Sequence, residues 1–170
     1  MKKVILIGVF ALSVVMILAV IRIEKPCKDL SSFTYISPSG PEVFVPDPQT
    51  YKVVILFSLY CPFCLQYLTH INEMTMLLPD HQYGLFTTDK TLFTSSFYET
   101  WDAIRQDPRI KIGIIEISTA YALFSDPPLP ISFIYNQENH HIYSLRGDRN
   151  IRELLKCLPG NNQKQEKKEI

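Results

Sequence analysis

Lys52 to Leu68 reads KVVILFSLYCPFCLQYL. Its first part, Lys52 to Ser58, is a short apolar run rich in β-branched residues. Such a run suits a strand buried on both faces, as in a parallel sheet. From Pro62 the period changes: Leu65, Leu68, Ile71 and Met74 or Met76 recur at helical spacing. Proline is favoured at the first helical position, where its missing N–H would have no partner anyway. The helix is expected to run until Pro79. Cys61 therefore falls at a strand-to-helix junction, and Cys64 one turn further in on the same face.

Working outward from this junction, strands alternate with helices. Phe33 to Val45 alternates apolar and polar residues on both sides of Pro38-Ser39-Gly40-Pro41, which predicts a hairpin. Gln82 to Thr88 is a second core strand. Thr91 to Arg105 carries Phe93, Phe97, Trp101 and Ile104 as a helical stripe, read as core packing in preference to a substrate groove. Arg109 to Ile117 is a third strand, and Ala120 to Phe124 a short helical turn broken by Asp126-Pro127-Pro128. Ile131 to Tyr135 and His141 to Leu145 flank a turn, and Ile151 to Leu158 is a last helix. This order predicts an α/β fold: a mixed central sheet with helices on both faces and an N-terminal β-hairpin.

The ends differ from the middle. Val4 to Ile21 is 18 residues without a charge, behind Met1-Lys2-Lys3. That length favours an N-terminal transmembrane helix over residues 1–22, with the N-terminus cytoplasmic and the domain outside. A cleaved signal segment and a buried soluble helix are the alternatives. Residues 23–32 read as a linker, 33–158 as the folded domain, and 159–170 as a polar, disordered tail. Net charge is zero overall, with +3 in residues 1–26 and −3 in the rest. An acidic domain disfavours nucleic acid as a partner.

Four cysteines in an exported domain can persist as disulfides. For Cys61 and Cys64 the readings are a redox pair, half of a zinc site, or a structural bond. Zinc needs two more ligands at comparable spacing; Cys27 and Cys157 are distant, and His140-His141 lie in a turn. No metal and no cofactor is expected. A bond between cysteines three apart would staple almost nothing. A redox pair, by contrast, needs the attacking sulfur among unpaired N–H groups at a helix start, where the thiolate is favoured. Cys64 could then attack a mixed disulfide on Cys61 and release the substrate.

A second element stands about 70 residues on: DPPLPISFIY, Asp126 to Tyr135, a proline running directly into a strand. Together with strand–CPFC–helix it resembles the thioredoxin superfamily, and within it the membrane-anchored TlpA/ResA-type thiol–disulfide oxidoreductases. The resemblance covers about Phe33 to Leu158, including the leading hairpin, the inserted Thr91–Ile117 segment, and Gly147 before the last helix. It implies a thioredoxin-like fold, a cis Pro130 facing the cysteines, and a Leu129 backbone left free to pair with an extended substrate. It also implies protein thiol or disulfide substrates, contacted through Tyr60, Pro62, Phe63, Leu129 and Pro130. A membrane-embedded partner would supply electrons if the protein acts as a reductant.

The chain departs from the family at three informative positions. Tyr60 stands where tryptophan is common. Ile55 stands where thioredoxins carry a buried acid, and Tyr67 where some relatives carry glutamate. That leaves solvent or another group, with Glu73 and Asp126 as candidates, to take the proton of Cys64. The Pro-Phe between the cysteines differs from the Gly-Pro of thioredoxins, so the direction of exchange stays open between reductant and oxidase or isomerase. A noncatalytic binding module on the same scaffold is the reading from another class. Cys27 and Cys157 could pair across the domain, or Cys157 could be free and buried, or Cys27 could bond another chain. Arg146-Gly147-Asp148 is read as structural.

Overall fold

The computed structural model describes residues 28–125, 127–147 and 151–158. Seven strands form one sheet: β1 (Phe33–Ser37), β2 (Gly40–Phe44), β3 (Lys52–Leu56), β4 (Gln82–Thr87), β5 (Ile110–Ile114), β6 (Ile131–Tyr135) and β7 (His141–Arg146), in the order β2-β1-β5-β4-β3-β6-β7. β3 pairs in parallel with β4, and β4 with β5, while the outer pairs are antiparallel. The helices are α1 (Pro62–Glu73), α2 (Ser96–Glu99), α3 (Asp102–Gln106), α4 (Ile117–Phe124) and α5 (Ile151–Cys157).

Central β3 explains the layering. All five of its residues are buried. Val53, Ile55 and Phe57 point into a core built with Leu68 and Ile71 of α1, Ile104 of α3 and Leu154 of α5. Val54 and Leu56 point to the other face, against Phe86, Phe124 of α4 and the hairpin residues Phe33 and Phe44. Strict alternation in an uninterrupted apolar run is what a sheet covered on both faces requires. Leu30, just before the hairpin, is buried too, and its N–H donates to the Asn139 carbonyl at 2.9 Å.

Three elements differ from the sequence reading. The Cys64 helix ends at Glu73, and a 3-10 turn follows over Thr75–Leu77. There the Thr75 hydroxyl donates to the Ile71 and Asn72 carbonyls at 2.9 and 3.1 Å. Side-chain bonds of this kind compete with continuation of the helix. The Thr91–Arg105 stripe is not one helix. It is a 3-10 turn (Leu92–Thr94), then α2, then α3, because Ser95 is an extended N-cap whose hydroxyl accepts from the Tyr98 N–H. Trp101 is nonetheless core, 1 % exposed, with its ring edge-on to Phe57, whereas Phe97 is exposed and departs from the core-packing expectation. β5 stops at Ile114, and Ile117 already opens α4.

No helix among the described residues is long and apolar enough to cross a membrane; residues 1–22, Cys27, Asp126, Asp148 and the 159–170 tail lie outside them. Cys157 is a free thiol and exposed, so the expectation of a buried Cys157 fails. It sits on the solvent side of α5, while Leu154 and Leu155 of that helix are buried.

Candidate active site

The two cysteines sit where β3 gives way to α1, at the edge of the sheet formed by the carboxyl ends of the parallel strands. Open α/β sheets place ligands at this edge. Cys61 is the N-cap of α1, with extended backbone (φ −106°, ψ 108°), and Pro62 is in the first turn. The Cys64 N–H donates to Cys61 Sγ at 3.3 Å. That bond uses an N–H that a helix start otherwise leaves unpaired.

Both cysteines are free thiols, but their exposure differs. Cys61 is partly exposed, and Cys64 is completely buried. Burial pushes the Cys64 thiol well above the ordinary thiol range; the neighbouring Cys61 and the charge of Asp89 push the same way.

The Leu129–Pro130 bond is cis. Cys61 Sγ lies 3.9 Å from the Leu129 carbonyl oxygen. The structure thus brings together, across 68 residues of sequence, the two segments that the resemblance joined. Tyr60, Pro62 and Phe63 are exposed around Cys61, Tyr60 at 80 % and Phe63 at 68 %.

Of the acids weighed for Cys64, Glu73 is excluded. Nine residues further along the same helix puts it about 13 Å away along the axis, and it is exposed. Asp89, which the sequence reading passed over, is the acid among the described residues whose charge reaches Cys64. It follows β4, where its backbone N–H donates to Thr87 Oγ1 at 3.1 Å. Its carboxylate accepts from the Leu59 N–H at 2.6 Å and from the Ser58 hydroxyl at 2.9 Å. Asp89 therefore fixes the loop that carries Cys61. The legible signal was an acid directly after the second parallel strand, at the same sheet edge as the cysteines.

Behind Cys64, the Tyr67 hydroxyl bonds Ser132 Oγ at 3.0 Å, fully buried. Ser132 stands opposite Ile55 in the β3–β6 pairing, so a neutral hydroxyl pair lies beside Ile55. Burial pushes the Tyr67 phenol up to about 12, so it stays protonated at neutral pH and cannot accept the Cys64 proton. Tyr67→Phe leaves the Ser132 hydroxyl buried without this partner. It is expected to lower stability by about 1–3 kcal/mol in urea denaturation, with most of the loss recovered in Tyr67→Phe/Ser132→Ala.

No cluster of three or more potential metal ligands occurs among the described residues.

The fold is thioredoxin-like. The chain aligns with a secreted Mycobacterium tuberculosis disulfide oxidoreductase homologous to Escherichia coli DsbE, at 15% identity and TM-score 0.53, over 67% of this chain and 82% of that one. It aligns with a thio-disulfide isomerase of Thermus thermophilus at 15% identity and TM-score 0.53, over 78% and 93%. A peroxiredoxin-like protein of Aquifex aeolicus aligns at 13% identity and TM-score 0.55, over 72% and 75%. No protein-family model and no curated sequence matches. The three structures carry different names on one architecture, so function has to be argued from the site.

Proposed function

We propose that the protein is a thiol–disulfide oxidoreductase that reduces disulfides in protein substrates outside the cytoplasm, held at the membrane by residues 1–22. The observation that carries this reading is the placement of Cys61. Its sulfur caps a helix, is open to solvent, and lies 3.9 Å from the Leu129 carbonyl, where an extended chain could pair.

The Cys61 thiolate attacks one sulfur of the substrate disulfide. The substrate S–S bond breaks, a Cys61–substrate mixed disulfide forms, and the departing sulfur leaves as a thiolate that takes a proton from water. Cys64, after losing its proton, attacks Cys61 Sγ. A Cys61–Cys64 disulfide forms, and the second substrate sulfur leaves. Two electrons have passed from the protein to the substrate, so a dithiol donor must reduce the pair again. A membrane-embedded electron-donor partner fits that role, since an anchor would keep the two close. Leu129 and Pro130 hold the substrate backbone, with Tyr60, Pro62 and Phe63 as an apolar collar.

The reduction potential of the Cys61–Cys64 couple, measured against glutathione or dithiothreitol, tests the direction. A value below about −250 mV agrees with a reductant, and one near about −120 mV makes the protein an oxidant instead. Insulin reduction by the wild type that survives in Cys61→Ser would remove the catalytic reading.

The raised Cys64 thiol adds a pH prediction. Its folded-state pKa lies above the ordinary value, so little thiolate exists at neutral pH. Resolution of a preformed Cys61 mixed disulfide, followed by rapid quench, is expected to accelerate about tenfold per pH unit from neutral into the alkaline range. A rate that is flat between about pH 7 and 9 contradicts this.

A further inference from the structure

Beside the Leu129–Pro130 segment, on the face of the sheet opposite α1, is a cavity of about 190 Å³. Leu56 and Phe86 from the ends of β3 and β4, Ile115, Ala120 and Tyr121 of α4, and Leu129 line it. Thr87, Thr88 and Ser125 add hydroxyl groups to a wall that is otherwise mainly apolar, and no described lining residue is charged. Tyr121 and Leu129 are about half exposed, at 55 % and 41 %, so the cavity opens at its rim. It is too small for a typical small-molecule site of about 300–1,000 Å³. It exceeds the cavity of about 150 Å³ that admits a benzene ring into an apolar core. An apolar side chain of aromatic size matches both limits.

Leu129 connects the cavity to the chemistry. Leu129 lines the cavity, and its carbonyl oxygen is the group 3.9 Å from Cys61 Sγ. A polypeptide whose cysteine sits at Cys61 must cross Leu129. With a rise of about 3.3 Å per residue along an extended chain, a side chain one or two positions from that cysteine reaches the opening.

We infer that this cavity is a specificity pocket for a large apolar side chain, preferentially aromatic, one or two residues from the reacting cysteine of the substrate polypeptide. The inference rests on the oxidoreductase reading above and adds the substrate class. Burying such a side chain is worth about a tenfold to hundredfold gain in reaction rate over a serine at the same place.

The test uses the whole protein with Cys64→Ser, so that the Cys61 adduct is not resolved, and short peptides containing one cysteine as its mixed disulfide with 2-mercaptoethanol, with phenylalanine or serine one or two positions to either side. Formation of the Cys61 adduct is timed, and hydroxyethyl disulfide serves as a substrate too small to reach the pocket. The expected result is a phenylalanine-to-serine rate ratio of about ten or more in at least one register. In Ala120→Phe, which fills the pocket, the ratio is expected to fall towards one. Tyr121→Ala changes an exposed rim residue and guards against failure of Ala120→Phe to fold; it is expected to lower the ratio as well. Reaction with hydroxyethyl disulfide together with a ratio of one in every register overturns the pocket while leaving the exchange chemistry standing. A ratio of one accompanied by concentration-dependent dimerisation that Tyr121→Ala abolishes assigns the face to a second copy and also overturns it. No reaction with either substrate class overturns the exchange reading and the pocket with it.

Discussion

Cys61→Ser is expected to reduce insulin reduction to the rate of the protein-free control, whereas Cys64→Ser is expected to retain the first attack and lose turnover. The two thiols are chemically alike but placed differently. Cys61 is partly exposed and receives the Cys64 N–H. Cys64 is sealed in the core among Tyr67, Leu68 and Phe57, and its thiol is pushed up by that burial. A substrate disulfide can meet the first sulfur and not the second. A serine hydroxyl is a far weaker nucleophile than a thiolate and forms no disulfide. In Cys64→Ser the adduct on Cys61 can form but has no internal thiol to resolve it, so a burst of one equivalent followed by arrest is the expected trace. Equal steady-state loss without a burst in either variant would mean that the roles are not divided as their burial implies.

Gly147→Ala is expected to impair the site from behind. A methyl group at Gly147 would fall 1.9 Å from Pro130 Cγ and 2.5 Å from both Pro130 Cδ and its carbonyl oxygen. A proline ring and a backbone oxygen cannot swing aside as a flexible side chain can, so the Leu129–Pro130 segment or the end of β7 must move. Overpacking of this kind costs about 1–3 kcal/mol of stability. A displacement of about 1 Å at a positioning group can cost about a hundredfold in rate. The loss should be larger for insulin, which must cross Leu129, than for hydroxyethyl disulfide, which need not. Wild-type kcat/KM on insulin in a folded Gly147→Ala protein would show that the position of Leu129 does not matter to catalysis.

The fold was legible where local pattern and burial coincide. Within the Lys52–Ser58 run every position from Val53 to Phe57 is apolar, and β3 is buried on both faces. Pro62, Cys61 and the change of period marked the start of α1 to the residue. The proline before β6 was legible because Pro127-Pro128-Leu129-Pro130 leaves no other place for the strand to begin. What failed depends on side chains that give no periodic signal. The Phe93–Ile104 stripe suggested one helix, but the Ser95 hydroxyl restarts the chain and divides it. At the site, Asp89 had one weak sign in the sequence, its place just after the second parallel strand. A lone acid after a strand is ordinarily a solvated turn residue, and only the tertiary structure directs its carboxylate to Leu59 and Ser58. Ser132 was hidden inside an apolar strand, and its bond to Tyr67 joins residues 65 positions apart. The cavity beside Leu129 draws on three strand ends and a helix, and no single stretch of sequence contains it.

The account stands on Cys61 as the sulfur that bonds the substrate. Cys64→Ala and Cys61→Ala, each incubated with a peptide disulfide and then alkylated, can be read by intact-mass and peptide mass spectrometry. The prediction is a mixed disulfide mapped to Cys61 in Cys64→Ala and unmodified, alkylation-resistant Cys64 in Cys61→Ala. An adduct on Cys64 that forms as fast in Cys61→Ala, or no adduct on Cys61 at all, would contradict it.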